Sequence, residues 1–324
     1  MDIKSYRRIT LSKLLHYIGV NALRFASPSR RTALIVLCYH RVLDADSPAR
    51  FVTEAPLVTS THAFECQMEL IAQRFHAVTL TQAVQWLEGN RDLPNRAVLI
   101  TFDDGWSDTY SNAYPVMKRL GLPGVVFLAT GFIGTSMRQW AGKVHDALLR
   151  TMGAEAASRE IDRLKHMPVH ERTALIERLS PAEDLPGENM SWRNVEEMAA
   201  NGFEFGSHTR NHVILPHEPG VEILDELISS SEDIRVRLGL RPAALAYPDG
   251  QYDAFTCRQV DEAGYLCAFT CDEGLWTKRS RRYAIPRLSI HDGVCASPKG
   301  EFSSVMFLTY LAGSIPWRYR RCGA

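Results

Sequence analysis

Two acids, Asp103 and Asp104, stand side by side directly after an apolar run and directly before Gly105. Where a buried strand opens into a loop, adjacent carboxylates repel each other unless a cation or a shared proton lies between them. Further along, His208 and His212 offer two imidazoles four residues apart, which converge on one ion if the chain between them makes a helical turn. Two imidazoles with one carboxylate leave coordination positions open for water and substrate, as a catalytic metal site requires. Taken singly, an Asp-Asp-Gly is also a plain turn and an i,i+4 histidine pair also occurs on ordinary surfaces. Their joint occurrence at the ends of strands of one sheet is what points to chemistry.

Such groups need a scaffold that brings strand ends together. The chain alternates short apolar runs with amphipathic stretches, as a parallel βα architecture demands. Residues 33–38 run apolar into Tyr39-His40, and residues 97–100 run apolar into Thr101-Phe102-Asp103-Asp104-Gly105. A helix is expected over about 107–120, closed by Gly121 and Pro123, followed by a strand over 124–129. Ser191 opens a short helix that Gly202 ends, and a strand over 203–205 leads to the two histidines. A helix over about 221–238 feeds a strand over 243–247, stopped by Pro248-Asp249-Gly250. The charged stretch from about 135 to 190 is helical without strand signals and reads as an insertion over one rim of an α/β barrel. Barrels of this kind carry their reactive groups at the carboxyl ends of the strands.

Composition bounds the alternatives. The 324 residues are 45% hydrophobic and 23% charged, the balance of a globular enzyme, and 37 Lys and Arg against 37 Asp and Glu leave no global field to attract nucleic acid. Seven cysteines without a CxxC pair fit free thiols in a reducing compartment, so a cytoplasmic location is expected, with membrane association as an added option. No stretch of about 18 apolar residues exists to span a bilayer. Three regions result: a basic amphipathic extension over 1–32, with Leu11, Leu14, Leu15, Ile18 and Phe25 at helical spacing; a catalytic domain over 33–295; and a basic, aromatic tail over 296–324 containing Ile315-Pro316-Trp317-Arg318-Tyr319-Arg320-Arg321. The ends are expected either to pack on the domain or to make a peripheral membrane contact.

Over residues 33–293 the sequence resembles the NodB-type polysaccharide deacetylases, carbohydrate esterase family 4. Thr101-Phe102-Asp103-Asp104-Gly105 matches the first motif of that family and His208-Thr209-Arg210-Asn211-His212 the second. The resemblance implies a distorted (β/α)7-type barrel, the NodB homology domain, that removes N-acetyl groups from amino sugars of an envelope or exported glycan. It implies a divalent ion, Zn2+ first with Co2+, Ni2+ or others as alternatives, held by Asp104, His208 and His212, with Asp103 left as general base. The third motif, Ala246-Tyr247-Pro248-Asp249-Gly250, departs from the usual Arg-x-Pro-Tyr: Ala246 stands where an arginine would orient the base, and Asp249 where the tyrosine would be. Arg287, in Ile285-Pro286-Arg287-Leu288-Ser289-Ile290-His291, is the candidate replacement from another strand. The main-chain N–H of Asp249 can still serve an oxyanion, with Tyr247 and Pro248 beside the substrate. Leu37-Cys38-Tyr39-His40-Arg41-Val42 and the Tyr-Pro-x-Gly form of the third motif are most similar to the poly-N-acetylglucosamine deacetylase branch, which implies His40 as the acid, with His291 as the alternative.

Other residues have plainer expectations. Trp106, Trp140, Trp192 and Trp276 are read as packing residues before sugar platforms, Cys267 and Cys271 as core, and His145, His166 and His170 as solvated. Two rival functions stay within view: hydrolysis of another amide or of a lipid-linked sugar on the same scaffold, and sugar binding without catalysis. A non-catalytic relative is expected to lack a ligand or the base, yet Asp103, Asp104, His208 and His212 are all present.

Overall fold

Period-two alternation along seven short strands decides the architecture. In the computed structural model, which describes residues 3–27, 32–167, 169–179 and 188–314, these strands are β1 (Ala33–Tyr39), β2 (Ala97–Phe102), β3 (Val125–Leu128), β4 (Glu204–Ser207), β5 (Ala244–Ala246), β6 (Cys267–Glu273) and β7 (Ile285–Ser289). Each pairs in parallel with its neighbour in this order, and β7 pairs back onto β1, so the expected (β/α)7 barrel closes. The distortion lies at two seams. The β2–β3 ladder is short and His76–Ala77 fills the space beside the start of β2, while Trp276–Thr277 lies antiparallel on the start of β1.

Every residue of β1, β2 and β3 is buried, because one face looks into the lumen and the other is covered by helices. The lumen face reads Leu34, Val36, then Cys38 on β1 and Ala97, Leu99, then Thr101 on β2, with Asp103 next beyond it; on β7 it reads Ile285, then Arg287. Its lower layers form one apolar cluster with Val125, Phe127, Ala244, Ala246, Cys267 and Phe269. Strands β1, β2 and β7 are therefore oily at their starts and polar at their carboxyl ends. Gly206 on β4 is required here: a Cβ would stand 2.4 Å from the Phe127 ring, which fills the lumen below the polar layer.

The outer helices follow the caps expected from sequence. Ser191 and Asn194 form a capping box on helix Trp192–Ala200, and the long helix Gly220–Leu238 ends in Gly239 at φ 77. The helix expected over 107–120 is instead a π-turn, Thr109–Ala113, followed by Tyr114–Leu120. Pro115 has no N–H for the carbonyl one turn back, and the widened turn accommodates its ring. The insertion carries helices Trp140–Met152, Ala154–Lys165 and Val169–Leu179, with a small core of Val144, Leu148, Ala157, Ile161 and Leu164. His145 is buried there, a correction to the solvated reading, while His166 is exposed; the His170 side chain lies outside what is described.

Both ends of the described chain meet. Helices Ile3–Tyr17 and Val20–Ala26 pack beside helix Ser304–Leu311, where Asn21 Nδ2 donates to Thr309 Oγ1 at 2.9 Å, Ser314 Oγ to Asn21 Oδ1 at 2.7 Å, and Arg24 Nη1 to the Gly313 carbonyl at 2.6 Å. Leu11, Leu14, Tyr17, Ile18 and Leu23 remain exposed. The tail from 315 on lies outside the described residues, and no described helix is long and apolar enough to cross a membrane.

Candidate active site

Asp104 follows β2 in the left-handed conformation, φ 74, with Gly105 at φ 83. A non-glycine residue there costs on the order of 1 kcal/mol or more. Among the described residues, four of the five non-glycine positive-φ positions, Asp104, Thr209, His212 and Asp249, fall in the three motif loops. Strain is thus concentrated where strand ends must aim side chains inward.

His208 and His212 are not on a helix, contrary to the turn expected from their spacing. The chain leaves β4 at Ser207 and loops through Thr209 at φ 61 to His212 at φ 54, which brings the two rings together with centroids 4.9 Å apart. His208 Nδ1 donates to the carbonyl of Ala246 at 2.8 Å, so its Nε2 carries the lone pair toward Asp104. His208 Nε2 lies 3.5 Å and His212 Nε2 3.1 Å from Asp104 Oδ1. Donors on one ion at about 2.0–2.2 Å stand about 3.0–3.5 Å apart, so the set fits a single divalent cation. Its chemistry fits too. Burial lowers His208 to about 4, leaving it neutral as a ligand must be, and although burial alone would raise Asp104, the bond and charge of His212 hold its carboxyl far below the usual range.

Asp104 has further support. Trp106 Nε1 donates to its Oδ2 at 2.8 Å, and Gln139 Nε2, from the residue that precedes the insertion's first helix, approaches its Oδ1 at 3.4 Å. Arg41 stacks on Trp106, 4.3 Å from ring centre, and is itself held by Asp108 at 2.6 Å and by Glu188. Trp106, expected to pack, instead bonds this carboxylate, and its position two residues past Asp104 in the same tight loop is the signal for that contact.

Asp103 belongs to a different environment. Arg287 grips both its oxygens, Nη1 to Oδ1 at 2.8 Å and Nη2 to Oδ2 at 2.7 Å, with both side chains buried. Arg287 is fixed in turn by Nε to the Thr270 carbonyl at 3.0 Å and Nη1 to Thr101 Oγ1 at 3.3 Å. Burial would raise the Asp103 carboxyl, but the guanidinium and then His208 overrule it and hold it at about 2; the carboxylate reciprocally raises Arg287 against its own desolvation. So an arginine does touch the acid, from β7 rather than from the third motif, where Ala246 leaves room. Cys38 Sγ lies 3.5 Å and His40 Nε2 3.8 Å from Asp103 Oδ2. Cys38 is a site residue that the motifs do not mark, and alternation along β1, which places it on the same face as His40, is its signal.

The remaining expected residues divide. Asp249, φ 57 in the one-turn helix Pro248–Gly250, pairs through Oδ1 with Lys165 Nζ of the insertion at 2.7 Å. Pro248 is buried. Tyr247 is fully buried and faces away from the lumen, its hydroxyl donating to the Tyr283 carbonyl at 3.1 Å, so its side chain offers no surface to a substrate. His291 caps helix Asp292–Cys295, its Nδ1 accepting from Gly293 N at 3.1 Å, and burial lowers it to about 4. Trp276 and Cys267 are fully buried, as expected; Cys271 is only partly so.

A closed seven-stranded barrel whose rim joins a two-histidine, one-carboxylate cluster to a second acid on an arginine is the framework of a barrel hydrolase. The family model for polysaccharide deacetylase matches residues 90–268, and the chain belongs to that family. A poly-beta-1,6-N-acetyl-D-glucosamine N-deacetylase of Staphylococcus aureus is 22% identical over 81% of this chain and 80% of its own. Among solved structures, the Streptococcus pyogenes deacetylase PplD in complex with acetate superposes with a TM-score of 0.60 at 20% identity, covering 83% of this chain and 96% of that one. IcaB from Ammonifex degensii gives 0.59 at 21% identity, covering 87% and 97%.

Proposed function

We propose that the protein is a metal-dependent N-deacetylase of an N-acetylglucosamine polysaccharide or its precursor. The observation that carries this reading is the division of labour between adjacent acids: Asp104 joins two imidazoles while Asp103 stays outside that set, gripped by Arg287. Asp104, His208 and His212 would hold the ion, Zn2+ before Co2+ or Ni2+. When bound, it supplies a Lewis acid for the acetamide carbonyl and lowers the pKa of a water from 15.7 toward about 7. Asp103 takes the proton of the attacking water, its carboxylate held ionised and oriented by the guanidinium fork. The main-chain N–H of Asp249 donates to the oxygen that becomes negative. An amine leaves only when protonated, and His40 is the donor: it lies 3.8 Å from Asp103 and is partly open to the mouth, whereas His291, lowered to about 4, holds no proton at neutral pH. The test is acetate release from β-1,6-linked N-acetylglucosamine oligomers, before and after chelation and Zn2+ restoration. Release that survives complete removal of metal, or no release from any N-acetylated glycan with metal restored, rejects the reading.

We also propose that the paired chain ends touch an anionic membrane surface. Residues 3–27 contain Lys4, Arg7, Arg8, Lys13 and Arg24 and no acid, and the exposed Leu11 and Leu14 of helix Ile3–Tyr17 are followed at the same helical spacing by exposed Ile18, whose N–H bonds the Leu14 carbonyl just past the helix end. The protein should sediment with phosphatidylglycerol vesicles and not with phosphatidylcholine vesicles, and the triple change of those three residues to Gln should abolish it; equal sedimentation of wild type and variant overturns this.

A further inference from the structure

Asp103 faces a second set of donors. Its Oδ2 lies 3.5 Å from Cys38 Sγ and 3.8 Å from His40 Nε2, and one donor atom from each of the three residues falls within 4.8 Å of the other two. Sulfur, nitrogen and oxygen on one tetrahedral ion, at about 2.3, 2.0 and 2.1 Å, stand about 3.3–3.6 Å apart, so the two contacts to Asp103 are within a few tenths of an ångström of those values, and side-chain rotation of Cys38 and His40 would close the set. Arg287 does not stand in the way. Its fork uses one lone-pair site on each carboxylate oxygen, and a carboxylate offers about four. His40, with 17% of its side chain exposed, marks the way in from solvent, while Cys38 and Asp103 form the buried floor.

We infer that Cys38, His40 and Asp103 form a second, inhibitory site for a thiophilic divalent cation such as Zn2+ or Cd2+, separate from Asp104, His208 and His212. A thiolate selects Zn2+ or Cd2+ over Mg2+ and Ca2+, which prefer oxygen. As the sulfur–metal bond forms, Cys38 gives its proton to solvent, and Asp103 and His40 contribute lone pairs; nothing is oxidised or reduced. The Arg287 fork leaves lone pairs free but holds a fixed positive charge against Asp103, which opposes a second cation there, so the site takes its ion at higher concentration than the three-residue cluster of Asp104. Inhibition, which rests on the deacetylase reading, follows because the second ion occupies both the base and the proton donor. Binding itself does not depend on that reading.

Cadmium reports the site through its ultraviolet thiolate charge-transfer band. Cys66 Sγ lies 3.9 Å from His62 Nε2 and could also take cadmium, so the titration is done on the full-length Cys66→Ser protein. The expected result is two Cd2+ per chain, the band developing with the weaker one, and hydrolysis stopping as that band grows. Adding Cys38→Ser should remove the band and raise the inhibitory Cd2+ concentration at least about tenfold, each relative to that variant's own uninhibited rate. In a separate protein, His40→Gln should keep the band but shift it to at least about tenfold higher Cd2+. His208→Ala, which removes the other cluster, should keep the band unchanged, and this is read whether or not the protein hydrolyses any glycan. A band that survives Cys38→Ser, or binding that stops at one ion with no band, overturns the inference.

Discussion

Asp103 and Asp104 share a peptide bond and face opposite halves of the barrel mouth. The Asp104 half is built from loops: a left-handed backbone at Asp104 and His212, an indole N–H from Trp106, and an amide from the foot of the insertion. The Asp103 half is built from strands, with Arg287 on β7, Thr101 on β2 and Cys38 on β1 stacked above the oily lumen. Metal ligands must converge within tenths of an ångström on a point outside the sheet, which loops can reach. A base must keep one orientation and stay ionised while buried, and a bidentate arginine from β7, across β1 from the strand that carries the acid, supplies that. The difference gives two chemically identical carboxyls different surroundings, and the proposed reading assigns them different roles on that ground.

The sharpest way to break that comparison is to neutralise each half. Asp103→Asn should lower kcat by about 10^3-fold while the protein still holds about one ion per chain. His208→Ala should lose the ion and with it the activity. Elemental analysis beside acetate release checks both, and loss of metal from the Asp103 variant would merge the two halves into one site. A step smaller, Arg287→Lys keeps a positive charge but not the planar fork. We expect kcat to fall by about 10- to 100-fold with KM little changed, and the acidic limb of the rate profile to move upward, because burial then acts on Asp103 against weaker opposition. An unmoved limb would reduce Arg287 to packing. Smaller again, Trp106→Phe removes the N–H on Asp104 and should weaken Zn2+ binding about tenfold, with kcat close to wild type at saturating metal.

These residues were unequally legible in the sequence. Both acids and both histidines stand at the ends of apolar runs, and the βα alternation that placed those runs in one parallel sheet is a local signal. Arg287 could be nominated because Ala246 left a gap to fill, but its grip on Asp103 depends on β7 closing against β1, a pairing between residues about 250 positions apart that no local pattern encodes. Gln139 and Lys165 reach the rim from the insertion, where the sequence reads only as helix. Two expectations failed for identifiable reasons. The i,i+4 spacing of the histidines suggested a helical turn, yet left-handed residues at Thr209 and His212 make the turn without one. Tyr247 was set beside the substrate from its place in the motif, although with Ala246 in the lumen, period-two alternation already turns its neighbour outward.

The smallest change in turnover is expected at His291, and it sharpens the comparison by asking which histidine serves the Asp103 half. His40→Gln should lower kcat by about 10^2-fold or more, whereas His291→Gln should change it less than about threefold. The signature of His291 lies in stability. Burial lowers it to about 4, so between that value and the ordinary 6.5 the unfolded chain takes up a proton that the native protein refuses. Its neutral state therefore costs nothing above about pH 6.5, and native stability declines as pH falls from there to about 4, by on the order of 3 kcal/mol, before levelling off. Glutamine carries no such proton. Urea unfolding at pH 7 and at pH 4.5 should show the variant losing less stability than wild type across that interval. Parallel losses in the two proteins would mean that His291 titrates freely, and would return it to contention as the acid.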